Sequence, residues 1–234
     1  RNYIDEIKTL PLFTGIKHED LEPMLTCLGS YLKTYKKGQF VSLAEEPLKC
    51  VGVLLSGKVH MIKEDLWGNK TILVLIKEGG VFGETFACGS DMVSTVTFVT
   101  ASECKVLFMP FDRILHSCNL SCVFHHRLIE NMVRLIADKN VQFLERLEVA
   151  SKRTLREKIL SFLSAQAEFH DNREFVISMG RLELADYLCV DRSALTRELS
   201  NMEADGLIEY EKNRFKILRI PSRSSPQSCG LLIV

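Results

Sequence analysis

The chain has 234 residues, 46% of them hydrophobic and 26% charged, and its 30 basic and 30 acidic side chains cancel. That composition fits a folded globular chain of one large or two modest domains. Zero net charge excludes bulk attraction to a polyanion, so any nucleic-acid contact has to rest on a local patch. No apolar run reaches the roughly 18 residues of a membrane span and no signal peptide precedes the first element, so a cytoplasmic protein with no membrane partner is expected. Eight cysteines stand singly at 27, 50, 88, 104, 118, 122, 189 and 229 with no CxxC pair. They read as reduced, mostly buried thiols.

A short helix, "HEDLEPMLTCL", comes first. From Tyr31 to Met109 short alternating runs follow: "QFVSL", "VGVLLSGKVHMI", "TILVLI", "STVTFVT" and "CKVLFM". Turn signals at Lys37-Gly38, Ser56-Gly57, Gly68-Asn69, Gly79-Gly80 and Gly89-Ser90 separate them, at the spacing of a β-sandwich or barrel. Within this block "GGVFGETFACGSDMVSTVTFVT" resembles the lip of a small-molecule pocket. Its glycines free backbone NH groups, and Glu84 adds a carboxylate. Pro110 is expected to open the next helical turn, where its missing NH costs nothing.

Residues 118–149 contain neither Gly nor Pro, which predicts one helix of about 45 Å. Ile129, Val133, Ile136, Asn140, Phe143, Leu147 and Ala150 follow the four-three spacing of a coiled-coil seam. Asn140 then falls at an a position, where a polar residue favours a parallel two-stranded register. Phe124, Leu128, Met132 and Leu135 form a second stripe, expected to face the β block. At the start of the helix, Cys118, Cys122 and His126 share one face, with His125 alongside. Two subunits could present such a set to zinc or haem, or as a redox-active thiol pair.

After an amphipathic helix, "TLREKILSFLSAQA", and a short strand in "DNREFVISM", the spacing of a helix-turn-helix appears. Helices over Met179–Leu188 and Arg192–Asp205 are joined by Cys189-Val190-Asp191. Ser178 and Asp191 are the expected caps. Leu184, Leu188, Val190, Leu195 and Leu199 supply a small core. Gly206 ends the second helix, and "LIEYEKNRFKI" is a hairpin with Asn213 at its tip, a wing. The outward residues of the second helix are Arg192, Ser193, Thr196 and Arg197. Arginine's planar fork matches the guanine O6 and N7 acceptors in the major groove. The competing reading has these arginines paired with Asp191 or Glu198 on a solvated face.

These residues resemble the superfamily of the cyclic-AMP receptor protein and the fumarate–nitrate reduction regulator (CRP/FNR), from "LPLFTGI" to about Ile220. "LLSGKV", Gly83-Glu84, the long helix and "VDRSALTREL" carry the resemblance. It implies an α+β chain: a double-stranded β-helix (jelly roll) over 1–117, a dimerisation helix over 118–151, a winged helix-turn-helix over 152–220, and a tail over 221–234. It also implies a homodimer on a palindromic operator with half-sites about 34 Å apart, contact with RNA polymerase, and base reading by Arg192 and Arg197. Where the cyclic-AMP receptor has Glu after the first Arg, this chain has Ser193, so the half-site should differ there. Gly83 and Glu84 match residues that hold a cyclic nucleotide's ribose, and Ser94, with Thr95 beside it, matches a phosphate-holding hydroxyl. The cation that precedes that serine is replaced by Val93. Burying a phosphate beside valine is costly, so cyclic AMP is not expected unless Lys58 or Lys70 reaches in. In the family the middle of the long helix caps the pocket, which adds Asn140, Phe143 and Leu144 as effector contacts. The cofactor stays unknown. A metal, haem or thiol sensor and an effector-independent regulator are the alternatives. No nucleophile elbow, P-loop or HExxH motif is present, and no enzyme is expected.

Overall fold

The computed structural model describes residues 3–115 and 123–219. The chain divides into two compact units, Arg1–Asp138 and Lys139–Val234, and the division falls inside the long helix.

The first unit opens with helix α1 (Tyr3–Ile7), a 3-10 turn (Pro11–Phe13) and α2 (His18–Cys27). Eight strands follow: β1 (Tyr31–Tyr35), β2 (Phe40–Ser42), β3 (Cys50–Ser56), β4 (Val59–Glu64), β5 (Lys70–Ile76), β6 (Val81–Phe82), β7 (Thr97–Thr100) and β8 (Cys104–Pro110). They form two antiparallel sheets, ordered β1-β8-β3-β6 and β2-β7-β4-β5. This is the jelly-roll arrangement expected of the β block. Leu54, Val59, Ile76, Phe82, Phe98, Val106 and Phe108 form a core drawn from both sheets. On β3 the alternate residues Val51, Val53 and Leu55 join a second core, with α1, α2, Leu128 and Met132. Strand alternation sends neighbours to opposite faces, so a strand covered on both reads as an unbroken apolar run, "CVGVLLS".

Pro110 closes β8 opposite Cys50, and helix α4 (Phe111–Leu115) starts after it, with the Phe111 NH donating to Lys49 O. The proline therefore ends a strand instead of opening a helix, a position strand ends tolerate. The long helix α5 spans Val123–Ser151. Leu128 and Met132 are buried in the first unit's core, with Phe124, Leu135, Ile129 and Ile136 packed against it. The second stripe thus faces the β block as expected, and two seam residues share that contact. The buried Asn131 amide donates to Leu12 O and Thr14 O at 2.9 and 2.8 Å, tying α5 to the N-terminal turn.

The second unit continues with α6 (Leu155–His170), β9 (Glu174–Val176), α7 (Arg181–Leu188), α8 (Arg192–Ala204), β10 (Ile208–Glu211) and β11 (Arg214–Ile217). Thr154 and Glu157 form a reciprocal capping box at the start of α6. The wing is a three-stranded sheet, β10-β11-β9, turned at Lys212-Asn213. The expected core of Leu184, Leu188, Leu195 and Leu199 is enlarged by Ile159, Phe162, Phe175, Ile177, Met202, Ile208 and Phe215. Among the described residues no helix is long and apolar enough to cross a membrane. Of the described cysteines only Cys104 is buried, while Cys27 and Cys189 are exposed, which corrects the expectation of mostly buried thiols.

Candidate nucleic-acid interface and pocket lip

Gly180 stands at the N-cap of helix α7, and its NH donates to the Glu183 carboxylate at 3.0 Å. Ser178 is not the cap, because the helix begins two residues later than its spacing suggested. Asp191 does cap α8, its Oδ1 accepting from the Ser193 and Ala194 NH groups at 2.8 and 3.1 Å. These hydrogen bonds, led by the one from the Ser193 hydroxyl, hold the Asp191 carboxyl below its ordinary pKa. Cys189 turns the chain in the left-handed region, φ +54°. Gly206 at φ +68° ends α8, and the Leu207 NH reaches back to Met202 O in a Schellman closure.

Arg192, Ser193, Thr196 and Arg197 are all exposed on one face of α8. Two of the four are already engaged: Ser193 Oγ donates to Asp191, and Thr196 Oγ1 donates to Arg192 O at 2.9 Å. Neither arginine makes an ion pair among the described residues. Glu198, one competitor for them, points to α6, where Arg156 Nε donates to it at 2.5 Å.

A second basic group beside this face was not legible from spacing alone. Arg181 opens α7, stacks over Tyr210 at 5.1 Å and donates through Nη2 to Lys212 O at 3.4 Å. Its buried Nη1 has no hydrogen-bond partner among the described residues. With Lys212, Asn213 and Arg214 it lines an open hollow against the wing. Ser200 Oγ lies 3.3 Å from the Tyr210 hydroxyl and links α8 to the same wing. The signal that could have found this group is an Arg at the first position of α7 together with three basic residues on the wing.

In the first unit, Gly83 adopts φ +79° and precedes a one-turn helix, α3 (Glu84–Ala87). A side chain at Gly83 would lie 3.2 Å from Cys50 O, so only glycine fits without displacement. The Glu84 side chain is buried. Burial, and then the Glu84 charge, push the Cys88 thiol up to about 11. Val93 is exposed and bridges Pro47. The buried Ser94 hydroxyl donates to Val96 O at 2.7 Å, so it is closed on its own backbone. Thr95 is exposed, and its carbonyl accepts from Lys63 Nζ at 2.7 Å. Lys70 pairs with Glu64 at 3.7 Å, and the cation that contacts this stretch is Lys63, a residue that sequence spacing did not single out.

On the second unit's share of α5, Asn140, Phe143, Leu144 and Leu147 are exposed, and on the first unit's share so is Val133. His126 is exposed, His125 is buried, and the candidates Cys118 and Cys122 lie outside the described residues. Among the described residues no three metal-ligating side chains converge.

Comparison with known proteins bears on both units. Residues 32–119 match the model of the cyclic nucleotide-binding domain, and residues 157–222 that of the Crp-like helix-turn-helix domain. The chain belongs to the CRP/FNR superfamily. Within it, this CRP/FNR chain is 26% identical over 220 residues to the transcriptional activator protein anr of Pseudomonas aeruginosa, covering 89% of this chain and 84% of that one. Its fold is shared with the c-di-GMP responsive regulator CLP of Xanthomonas campestris (TM-score 0.57, 16% identity, 87% and 100% of the two chains). It is shared as well with a CooA mutant from Carboxydothermus hydrogenoformans (TM-score 0.57, 14% identity, 83% and 86%).

Proposed function

We propose that this CRP/FNR-type transcription regulator is a homodimer that reads a palindromic operator through Arg192 and Arg197. The carrying observation is that both arginines stand exposed on one face of α8 while the nearby carboxylates are occupied, Asp191 by the cap and Glu198 by Arg156. Ser193 and Thr196 hold their hydroxyls on α8 and its cap, so they shape the helix start more than they read bases. Arg181, Lys212 and Arg214 supply phosphate contacts that orient the unit without carrying sequence information. Dimerisation through Ile129, Val133, Ile136, Asn140, Phe143 and Leu147 is supported by the heptad spacing and by the exposed apolar members of that stripe. Contact with RNA polymerase rests on the family resemblance.

The effector is a small molecule other than a cyclic nucleotide. Its lip has Val93 where a phosphate needs a cation, a closed Ser94 hydroxyl, and a Lys63 already bonded to Thr95 O. The test is selection of duplexes from a random pool, then titration of the selected and a scrambled site. Arg197→Ala should cost about 1–3 kcal/mol on the selected site and little on the scrambled one. Equal losses would reduce Arg197 to a phosphate contact. A wild-type chain that enriches no sequence would sink the reading altogether.

A further inference from the structure

Arg156, the second residue of α6, does not belong to the exposed face of α8, yet it holds that helix at two points. Its Nε donates to Glu198 Oε1 at 2.5 Å and its Nη1 to Asp205 Oδ2 at 2.7 Å. The two carboxylates lie seven residues apart, one on α8 and one at its C-cap, about two turns. Added to the buried Leu195, Leu199 and Met202, which seat α8 in the core, a single guanidinium bonded to both carboxylates restrains the rotation of the helix about its axis and its tilt. Glu198 is only 20% exposed and is the member partly withdrawn from water, while Arg156 and Asp205 are 39% and 51% exposed. Asp205 caps the C-terminal, negative end of α8, where a carboxylate is unfavourable without a cation beside it. The same helix anchors α7, since Lys158 Nζ donates to Leu188 O, the last residue of that helix, at 3.2 Å. Helix α6 thus grips the C-terminal ends of both helices of the helix-turn-helix.

Glu198 follows Arg197 directly, and adjacent helical residues point about 100° apart. Holding Glu198 toward α6 therefore sets the direction in which Arg197 leaves the helix. Side chains reach roughly 5–6 Å from the helix axis, so a 20° rotation displaces a guanidinium by about 2 Å. That is enough to lose a bidentate match to a base edge, whose hydrogen bonds tolerate only a few tenths of an ångström.

We infer that Arg156 is a positioning residue for sequence reading: through Glu198 and Asp205 it sets the azimuth of α8, and so governs specificity without touching DNA. The inference rests on the reading of α8 as the DNA-recognition helix.

The experiment uses the full chain. Wild type, Arg156→Gln, Arg156→Lys, Glu198→Gln/Asp205→Asn and the triple combination are titrated on the duplex selected by wild type and on a scrambled duplex. Measurements are made well below each variant's unfolding midpoint, with circular dichroism confirming the fold. Arg156→Gln is expected to lower the selected-to-scrambled affinity ratio about tenfold, as a misplaced base contact does, and to leave scrambled binding within about twofold. Arg156→Lys keeps the charge but loses the two-point grip, and is expected to fall between. Glu198→Gln/Asp205→Asn should reproduce the Arg156→Gln ratio, and adding Arg156→Gln to it should change the ratio no further, because the three groups act as one unit. An unchanged ratio in folded Arg156→Gln, equal losses on both duplexes, or additive losses in the triple variant would each overturn the inference. If Arg156→Gln does not fold, the ratio measured for Glu198→Gln/Asp205→Asn decides in its place: a tenfold drop supports the inference and an unchanged ratio overturns it. A wild-type chain that selects no sequence would instead overturn the reading of α8, a result separable from any variant's behaviour.

Discussion

His125 shows what one misplaced polar group costs. It is 1% exposed, and neither ring nitrogen has a hydrogen-bond partner among the described residues. Burial, and then the neighbouring His126, hold its pKa below the usual 6.5. The folded chain therefore keeps the imidazole neutral to lower pH than the unfolded chain, which takes up the proton first as pH falls. Its contribution to stability is present above about pH 6.5 and is lost below it. The unfolding midpoint of the first unit should drop between pH 7 and pH 5.5, and His125→Met should flatten that drop; an unchanged slope would show that another group titrates. At the lip, Cys88 stays protonated at neutral pH because burial and the Glu84 charge both oppose the thiolate. Alkylation of Cys88 at pH 8 should be slow in the wild type and faster in Glu84→Gln, with mass spectrometry of the modified peptide as the readout.

At the scale of elements, local signals were legible and register was not. The β runs, the α8 cap at Asp191, the Gly206 stop and the wing turn all depend on residues close in sequence, and they stand where those residues placed them. The cation that contacts the lip stretch was illegible because it depends on β4 pairing with β7, which sets Ile62 opposite Thr97 and brings Lys63 to Thr95. No spacing within either run reveals that pairing. Pro110 and Ser178 misled for a related reason: both residue types are common at helix starts, and tertiary pairing placed one at a strand end and the other outside the helix. Gly57 makes a testable case of local chemistry serving a long-range contact. It lies at φ +93°, and an added Cβ would stand 2.2 Å from Glu103 O and 2.7 Å from Cys104 Sγ. Gly57→Ala should destabilise the first unit by more than about 1 kcal/mol in denaturant unfolding, whereas a change under half that would mean the β3–β4 turn relaxes freely.

At the scale of the whole molecule, the stripe on α5 is the seam of the proposed dimer. Val133, Phe143 and Leu147 occupy seam positions and are each at least half exposed on the single chain. In the proposed dimer such residues gain burial, and an aromatic anchor of this kind contributes about 2–4 kcal/mol when it becomes central to an interface. Phe143→Glu with Leu147→Glu should convert a sedimenting dimer to a monomer and abolish the advantage of a full palindrome over a half-site. The fold of each unit, followed by circular dichroism, should persist. A double variant that still sediments as a dimer would place the interface elsewhere.

The turn between β4 and β5 has a practical consequence. Asp65 accepts from the Trp67 and Asn69 backbone NH groups, both at 2.9 Å, in a turn that leaves Trp67 85% exposed. Trp67 is the only tryptophan in the chain. The protein therefore carries one intrinsic fluorophore of this type, and it sits on the hairpin whose Lys63 reaches the pocket lip. Its emission should begin at the long wavelength of a hydrated indole. A blue shift or a change in lifetime would then report, without labelling, that something has closed over that hairpin.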